Sequence, residues 1–588
     1  MSESPAVQAT AVGADPQRKK ALIVVLFAAF MDLLDSTIVN IAIPPIQRDL
    51  GASYSAVQWV VAAYLLSFAV LLILGGRLGD MFGRKKLFLL GVAAFTLTSA
   101  LCGMAQSPEM LITSRALQGA SAAMMVPQVL SIITATFPPK ERGAALGAFG
   151  GVAGLATVGG PIVGAVLINA DFFDLGWRVI FLLNIPVGIA LLAAASAVVR
   201  DSKSPHPIKL DIVGTILVSL GLLLLLFPLV QGREAGWPAW AFVSLVASVP
   251  VLVIFAVHQK RRHASSGSAL ILPGLFKSRS FSAGLLANVV FFAVVIGHFL
   301  IFIIFLQTGL GFSTLRAGLT GLPWSFGVSF GAAFSATVLT AKLGRKVLVI
   351  GAVLLAAGLG GISATVEWRG DQIGSWWLLP TLLVGGLGMG MIIAPILDFI
   401  LSDVPPEHSG AGSGVVNAVQ QVGGAIGIAV IGAIFLGFLG GAADGAIKDV
   451  TPQLRAGLEK AAVAPSQQGE ITASFAQCFA DRTSAADPTD TPKSCEALNS
   501  VQSAGAQAAI GDAAQDARRI AFSTALQRTI LAQIGLVAVV FLLIFLLPRK
   551  AQHHEETFED EDETEAAAAG QVPGQTAPAT APSPQSTS

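Results

Sequence analysis

Apolar residues in this chain run in unbroken blocks of about 20, separated mostly by short polar loops. At 1.5 Å of rise per helical residue, such a block matches the roughly 30 Å hydrocarbon layer of a bilayer. Backbone in lipid must satisfy its own hydrogen bonds, which leaves helices or closed barrels. A barrel strand would alternate apolar and polar positions, so helices are predicted. Fourteen blocks are readable, at 21–43, 56–76, 87–105, 109–132, 143–168, 179–199, 210–230, 239–257, 281–305, 316–339, 347–366, 376–397, 414–438 and 526–547. The pattern predicts an all-α polytopic membrane protein with 14 transmembrane helices and both termini on one side.

Composition sharpens that reading. The 588 residues are 54% hydrophobic and 12% charged, with mean hydropathy +0.72, where an ordinary soluble domain is about 25% charged. A single soluble core is excluded. Net charge is zero, so no nucleic acid or other polyanionic partner is implied. The first block follows Arg18, Lys19 and Lys20 as a signal peptide would, but it holds two aspartates and lacks a small-residue cleavage site, so a retained helix is expected. With both termini in the cytoplasm, inner loops and termini hold most of the 36 Lys and Arg, including Arg84–Lys86, Lys260–Arg262, Lys342, Arg345 and Lys346. As far as the twelfth block, the outer loops hold only Arg48, Arg178, Arg233, Arg316 and Arg369. The positive-inside rule then gives a multi-pass plasma-membrane protein with cytoplasmic termini.

An internal echo divides the chain. PPKERGAALG (Pro138–Gly147) follows the fourth block and PPEHSGAGSG (Pro405–Gly414) follows the twelfth, identical at five of ten positions. The expected organisation is a cytoplasmic tail (1–20), a six-helix half (21–199), two inserted helices (200–262), a second six-helix half (263–547) and a cytoplasmic tail (548–588). Related halves around a central cavity are a common build of secondary transporters.

Ionisable residues at bilayer depth cost roughly 2.5–3.5 kcal/mol each on insertion scales, which makes them functional candidates. Asp32 and Asp35 lie three residues apart on one face of the first helix. Two carboxylates on one face repel when both are charged, which suits an acid that takes up a proton on one side and releases it on the other. The alternative is that Asp35 only caps the helix or pairs permanently with Arg115 of the fourth block. Arg115 needs acceptors: it either biases a carboxylate on a proton route or bonds backbone carbonyls. Asp398, near the inner end of the twelfth block, either binds substrate or ends its helix. His298, Gln307, Asn417, Gln420 and Gln421 are candidate substrate ligands, with bonding between helices as the alternative.

Between the second and third blocks lies GRLGDMFGRKK (Gly76–Lys86). It resembles the loop motif G-x-x-x-D-x-x-G-R-[RK] of the major facilitator superfamily, through Gly76, Asp80, Gly83, Arg84 and Lys85. LDSTIVNIAIP (Leu34–Pro44), Arg115 with Gln118 and Gly119, GPIVGA (Gly160–Ala165), WRVIFLLNIPVG (Trp177–Gly188) and QQVGGAIG (Gln420–Gly427) extend the likeness. Together they resemble the fourteen-helix drug:proton antiporter branch, typified by quaternary-ammonium and multidrug exporters. The resemblance implies Asp35 as the coupling acid and Arg115 as the arginine of proton transfer. It implies that Asp80, Arg84 and Lys85 latch the halves in the outward-open state. Gly154, Gly160, Pro161 and Gly164 match the fifth-helix antiporter motif, which normally ends in two glycines; here the second is Ala165. The implied function is proton-coupled efflux of amphipathic or cationic drugs by alternating access. The implied partners are a small drug-like molecule, protons and the bilayer, with no cofactor beyond the proton gradient and a monomeric chain. A dedicated exporter of one endogenous metabolite, such as an antibiotic, siderophore or lipid, would carry the same motifs.

Other classes find little support. G-x-x-x-x-G-K-[ST] does not occur, so ATP drive is not indicated. H-E-x-x-H does not occur, and the G-x-S-x-G match GVSFG (Gly327–Gly331) falls inside a span, so no enzyme is expected. The outer loop at 439–525 holds Cys478 and Cys495 on the side where oxidation is allowed. A bridge would close 17 residues and contribute about 3 kcal/mol in the chain-entropy model; two unpaired thiols are the alternative. Helical flanks around Leu454–Val463 and Ala504–Leu526 predict a small cap over the outer exit. The acidic run Glu555–Glu565 begins a tail too polar to order itself, and no metal site is expected at His553 and His554.

Overall fold

The computed structural model describes residues 17–550 apart from 138, 203–209, 233–234, 267–268, 371–372, 405–408, 485–491, 500 and 502; within helices it leaves out the side chains at 73, 139, 140, 142–144, 146, 147, 150, 151, 153, 154, 157, 158, 266, 409–411, 484 and 499. Of the expected tails, residues 1–16 and 551–588, with His553 and His554, lie outside the described residues, and Arg18–Lys20 open the first helix.

Every regular element among the described residues is helical. The first half comprises α1 (Arg18–Leu50), α2 (Tyr54–Phe82), α3 (Arg84–Gly103), α4 (Pro108–Thr136), α5 (Pro139–Ala170) and a sixth span built from α6 (Val179–Leu182) and α7 (Asn184–Val198). The inserted pair is α8 (Ile212–Gln231) and α9 (Ala239–Ser266). In the second half, α10 (Arg279–Ile304) runs into a π-helical turn at Phe305–Gly309. One span follows from α11 (Thr314–Thr320), α12 (Leu322–Phe334), a second π-helical turn at Ser335–Leu339 and α13 (Thr340–Leu343). Then come α14 (Lys346–Arg369), α15 (Ser375–Ile393) with α16 (Ile396–Leu401), α17 (Ser409–Lys460), α18 (Pro465–Ser484), α19 (Glu496–Asn499) and α20 (Ala504–Ile544). Among the described residues 13 helices are long and apolar enough to cross a membrane; α5, apolar over Gly159–Ala170, covers the remaining expected block.

Local chemistry sets several helix starts. Ser53, Ser107, Ser278 and Ser313 each cap a helix by accepting the amide of the residue three further on, and Pro108 supplies a preset first turn. Between α2 and α3 the expected eleven-residue loop is a single residue. Gly83 turns the chain at φ +108°, ψ 130°, a conformation that disfavours a side chain. Both helices extend through the polar residues around it, because helix formation needs only good formers and an i,i+4 pair, not apolar side chains.

The segment 439–525, expected as a long outer loop, departs further from a loop. α17 continues through the expected block 414–438 to Lys460, so its 52 residues span about 78 Å, more than twice the hydrocarbon thickness. α20 likewise starts at Ala504, well before 526, and runs 41 residues. The overhanging parts pack through small residues: a Cβ on Gly457 would lie 2.7 Å from that of Ala509, and one on Gly505 3.0 Å from that of Ala461. α18 lies against α17, and Cys478 is bonded to Cys495, with Cα atoms 4.7 Å apart.

Contacts between the halves lie towards the end of the bundle away from the Gly83 turn. Gln58 Nε2 donates to Ile428 O at 3.0 Å, and Gln307 Nε2 to Ile41 O at 3.1 Å. α5 meets α11 where Gly318 faces Ala165 and the Pro161 carbonyl; a Cβ on Gly318 would lie 2.8 Å from that of Ala165. The methyl that replaces the motif's last glycine is thus matched by a glycine on the facing helix.

A buried hub ties the inserted pair to the chain that follows it. Asp211 Oδ1 accepts the Gly214 amide (2.9 Å) and lies 2.9 Å from His258 Nε2, while Asp211 Oδ2 accepts Gln259 Nε2 (2.7 Å). Gln259 Oε1 in turn accepts the amides of Leu270 (2.7 Å) and Ile271 (3.2 Å), and Arg262 donates to Leu210 O. Asp211→Ala strands these donors, and is expected to cost about 2–4 kcal/mol and to lower the unfolding temperature of the purified protein by several degrees. An unchanged melting curve would show that the hub is not structural.

Candidate functional site

The polar groups of the first half converge on α1. Asp35 is 1% exposed and Arg115 of α4 fully buried. Arg115 Nη1 donates to Asp35 Oδ2 at 2.6 Å and to Gln118 Oε1 at 2.8 Å, and Arg115 Nε donates to Val60 O of α2 at 3.2 Å. Asp35 Oδ1 accepts two amides, Gln118 Nε2 at 3.0 Å and Asn184 Nδ2 of α7 at 2.8 Å. Asn184 also donates to Ser99 Oγ on α3 at 2.9 Å. Asp35 therefore has three donors drawn from α4 and α7, and Arg115 has acceptors on α1, α2 and α4.

Asp32, one turn earlier and 4% exposed, has a different setting. Its described bond is from the Tyr64 hydroxyl, which donates to Oδ1 at 2.6 Å. The Tyr64 ring also lies 4.2 Å beneath the Arg115 guanidinium, a cation–π distance. Tyr64 thus touches both the free-standing acid and the cation that holds the other acid. The close approach of α2 to α4 depends on glycine: a Cβ on Gly119 would strike the Tyr64 carbonyl, and one on Gly75 the Ala123 carbonyl.

Of the sequence candidates, Asp32, Asp35 and Arg115 come together; Tyr64, Gln118 and Asn184 join them without having been assigned a role. Gln118 and Asn184 did leave a signal, as uncharged polar residues inside apolar blocks. On α5, Gly160 packs against Thr37 and Gly164 against Ile38 and Ile41 of α1, with Pro161 inside the helix. Gly154 lies within α5. The second-half candidates are scattered. His298 is buried beside Gln533 of α20, Gln307 bonds α1, Asn417 donates to Ser413 O of its own helix, Gln420 and Gln421 are half-buried, and Asp398 is exposed on α16. Gly327 and Gly331 of GVSFG lie where α12 packs on Leu383 and Leu387 of α15, so this motif is helix packing.

The basic turn engages its own half and the start of the segment that follows it. Arg84 Nη2 bonds Asp80 Oδ1 at 3.1 Å, Arg84 N donates to Ser202 O at 2.9 Å, and Lys85 Nζ donates to Ser196 O of α7 at 2.7 Å. Gly76 faces Pro127 of α4.

Residues 25–428 match the family model described as Major Facilitator Superfamily. This chain belongs to the Major Facilitator Superfamily. It is a multi-pass membrane transport protein. Superfamily relatives include a Streptomyces coelicolor protein named "Probable actinorhodin transporter", 44% identical over 558 residues, covering 94% of this chain and 96% of that protein. "Puromycin resistance protein pur8" of Streptomyces alboniger is 35% identical over 74% of this chain and 86% of its own. A solved bacterial homologue of the human lysosomal transporter Spinster, in an inward-facing and unoccupied conformation, shares the fold with TM-score 0.59 at 16% identity, covering 92% of this chain and 100% of that one.

Arg115→Leu leaves Asp35 buried without its cation and is expected to cost about 3–5 kcal/mol. Arg115→Leu combined with Asp35→Leu removes both charges and should recover much of that loss in a thermal unfolding series. Additive losses in the double variant would show that the two do not act as a pair.

Proposed function

We propose that this transporter exports an antibiotic-type small molecule in exchange for protons, and that Asp32 carries the proton. The observation behind the choice of acid is the difference in partners. Asp35 already accepts a guanidinium and two carboxamides, so a proton there would displace a bond already made. Asp32 accepts one phenol, and a proton on it removes the repulsion between two carboxylates one turn apart. Tyr64 transmits the change, because the ring whose hydroxyl senses Asp32 also supports Arg115. This reassigns the coupling step from Asp35, which keeps Arg115 and Asn184 in register.

The distribution of Lys and Arg supports cytoplasmic termini in the plasma membrane, with the Gly83 turn inside the cell. The halves are then joined towards the outside, which fits a state that receives substrate from the cytoplasm. In that state Asp80, Arg84 and Lys85 bond within the first half and the start of the segment that follows it; as a latch they would engage the second half only after rocking. The class of substrate is favoured by two relatives, the "Probable actinorhodin transporter", related over nearly its whole length, and "Puromycin resistance protein pur8".

The test uses protein in liposomes with an imposed pH gradient, following puromycin and ethidium. Gradient-driven movement should vanish in Asp32→Asn and fall at least about 10-fold in Asp35→Asn, whereas binding of the probe without a gradient should survive in Asp32→Asn. Full transport by Asp32→Asn would return the coupling role to another residue. Movement of ethidium as well as puromycin would widen the reading to broad drug efflux.

A further inference from the structure

Among the buried polar atoms of the second half without a hydrogen-bond partner, three stand together in one cluster: His298 Nε2 on α10, Trp324 Nε1 on α12 and Gln533 Nε2 on α20. His298 and Trp324 are each 2% exposed, and Gln533 is fully buried. His298 Nδ1 lies 3.0 Å from Gln533 Oε1. A carbonyl oxygen only accepts, so Nδ1 carries the hydrogen, and Nε2 of the neutral ring is an acceptor. The Trp324 ring stacks on the imidazole with centroids 5.5 Å apart, Phe302 stacks on it at 5.5 Å, and Phe299 meets Trp324 edge-on at 5.7 Å. One acceptor and two N–H donors therefore stand unpaired within an aromatic box. A buried polar group left unmet is destabilising, because it has given up its bond to water.

The cluster partly echoes the polar group around Asp32 and Asp35 in the first half. It uses the first, second and sixth spans, and it joins the first to the sixth through a carboxamide, Gln533 here and Asn184 there. Where α4 presents Arg115, however, α15 presents Gly385 and Gly386, whose lack of side chains accommodates Trp324. The described partners of the cluster are all neutral.

We propose that His298, Trp324 and Gln533 form a second ligand site, which takes a neutral hydroxyl group. A hydroxyl donates to His298 Nε2 and accepts an N–H from Trp324 or Gln533, which meets both needs of the cluster. A carboxylate would find no cation here, and an ammonium would find a single acceptor. The hydroxyl is that of a water molecule or of a flat aromatic cargo suited to the ring walls. The cargo source rests on the export reading above; the water source does not.

The test is made in nanodiscs without a pH gradient, so its outcome is independent of the coupling proposed for Asp32. The matched probes 2-naphthol and 2-methylnaphthalene are compared by equilibrium binding, and ring-15N histidine NMR reads His298, assigned by the signal lost in His298→Phe. Expected is an Nε2 signal of a hydrogen-bonded acceptor, with 2-naphthol bound about 10-fold more tightly than 2-methylnaphthalene. That preference should fall towards one in Gln533→Leu and Trp324→Phe. Equal binding of the probes, with a bonded Nε2 in the unliganded protein, supports the site with water as its occupant. An unbonded Nε2 with and without either probe, or a preference kept in both variants, overturns it. Trp324→Phe retains the aromatic packing and serves for assignment where His298→Phe does not fold.

Discussion

An arginine that cannot shed its charge, enclosed where water does not reach it, governs the arrangement of the first half. The effective penalty for burying such an ion is several kcal/mol, offset only by well-aimed acceptors. For Arg115 those acceptors lie on α1, α2 and α4, and its faces meet Tyr64 and Phe181. Any slip of one helix along another would strand the guanidinium. The pair with Asp35 therefore acts as a register mark more than as a source of stability, and it confines structural change to movements that carry these helices together.

Close backbone approach completes that constraint. Gly75 and Gly119 let α2 and α4 touch main chain to main chain, which is what brings Tyr64 under Arg115. On α5, Gly160 and Gly164 do the same against α1, and Gly318 of α11 accepts the Ala165 methyl. The same small-residue surfaces bind helices within one half and, at α5 and α11, let two halves meet on a smooth face. A face without interlocking side chains is one that can part.

Much of this was legible beforehand because lipid imposes a simple rule on sequence. The blocks 21–43 and 109–132 had to be helices, and Asp35 and Arg115 inside them had to find partners. Helix ends were less legible. α17 outruns its block by more than twenty residues, since an Ala-rich helix continues in water as readily as in lipid and hydropathy marks only the membrane part. The site was legible in its charges and illegible in its neutral members. Tyr64, Asn184 and Gln533 lie far from Asp32, Asp35 and His298 in sequence, and periodicity along one helix cannot say which face of another it will meet. His298 illustrates this: its position inside a span was visible, but its pairing with a residue 235 positions away was not.

α17 and α20 run well past their expected membrane blocks as continuous helices, without the glycine turn or π-helical widening seen elsewhere and with Pro452 inside α17. A continuous helix is stiff along its axis, so a tilt of its membrane part would carry the cross-linked end with it. A small rotation among buried side chains would then become a larger displacement at the far end of these helices, where a probe attached to α18 would register it.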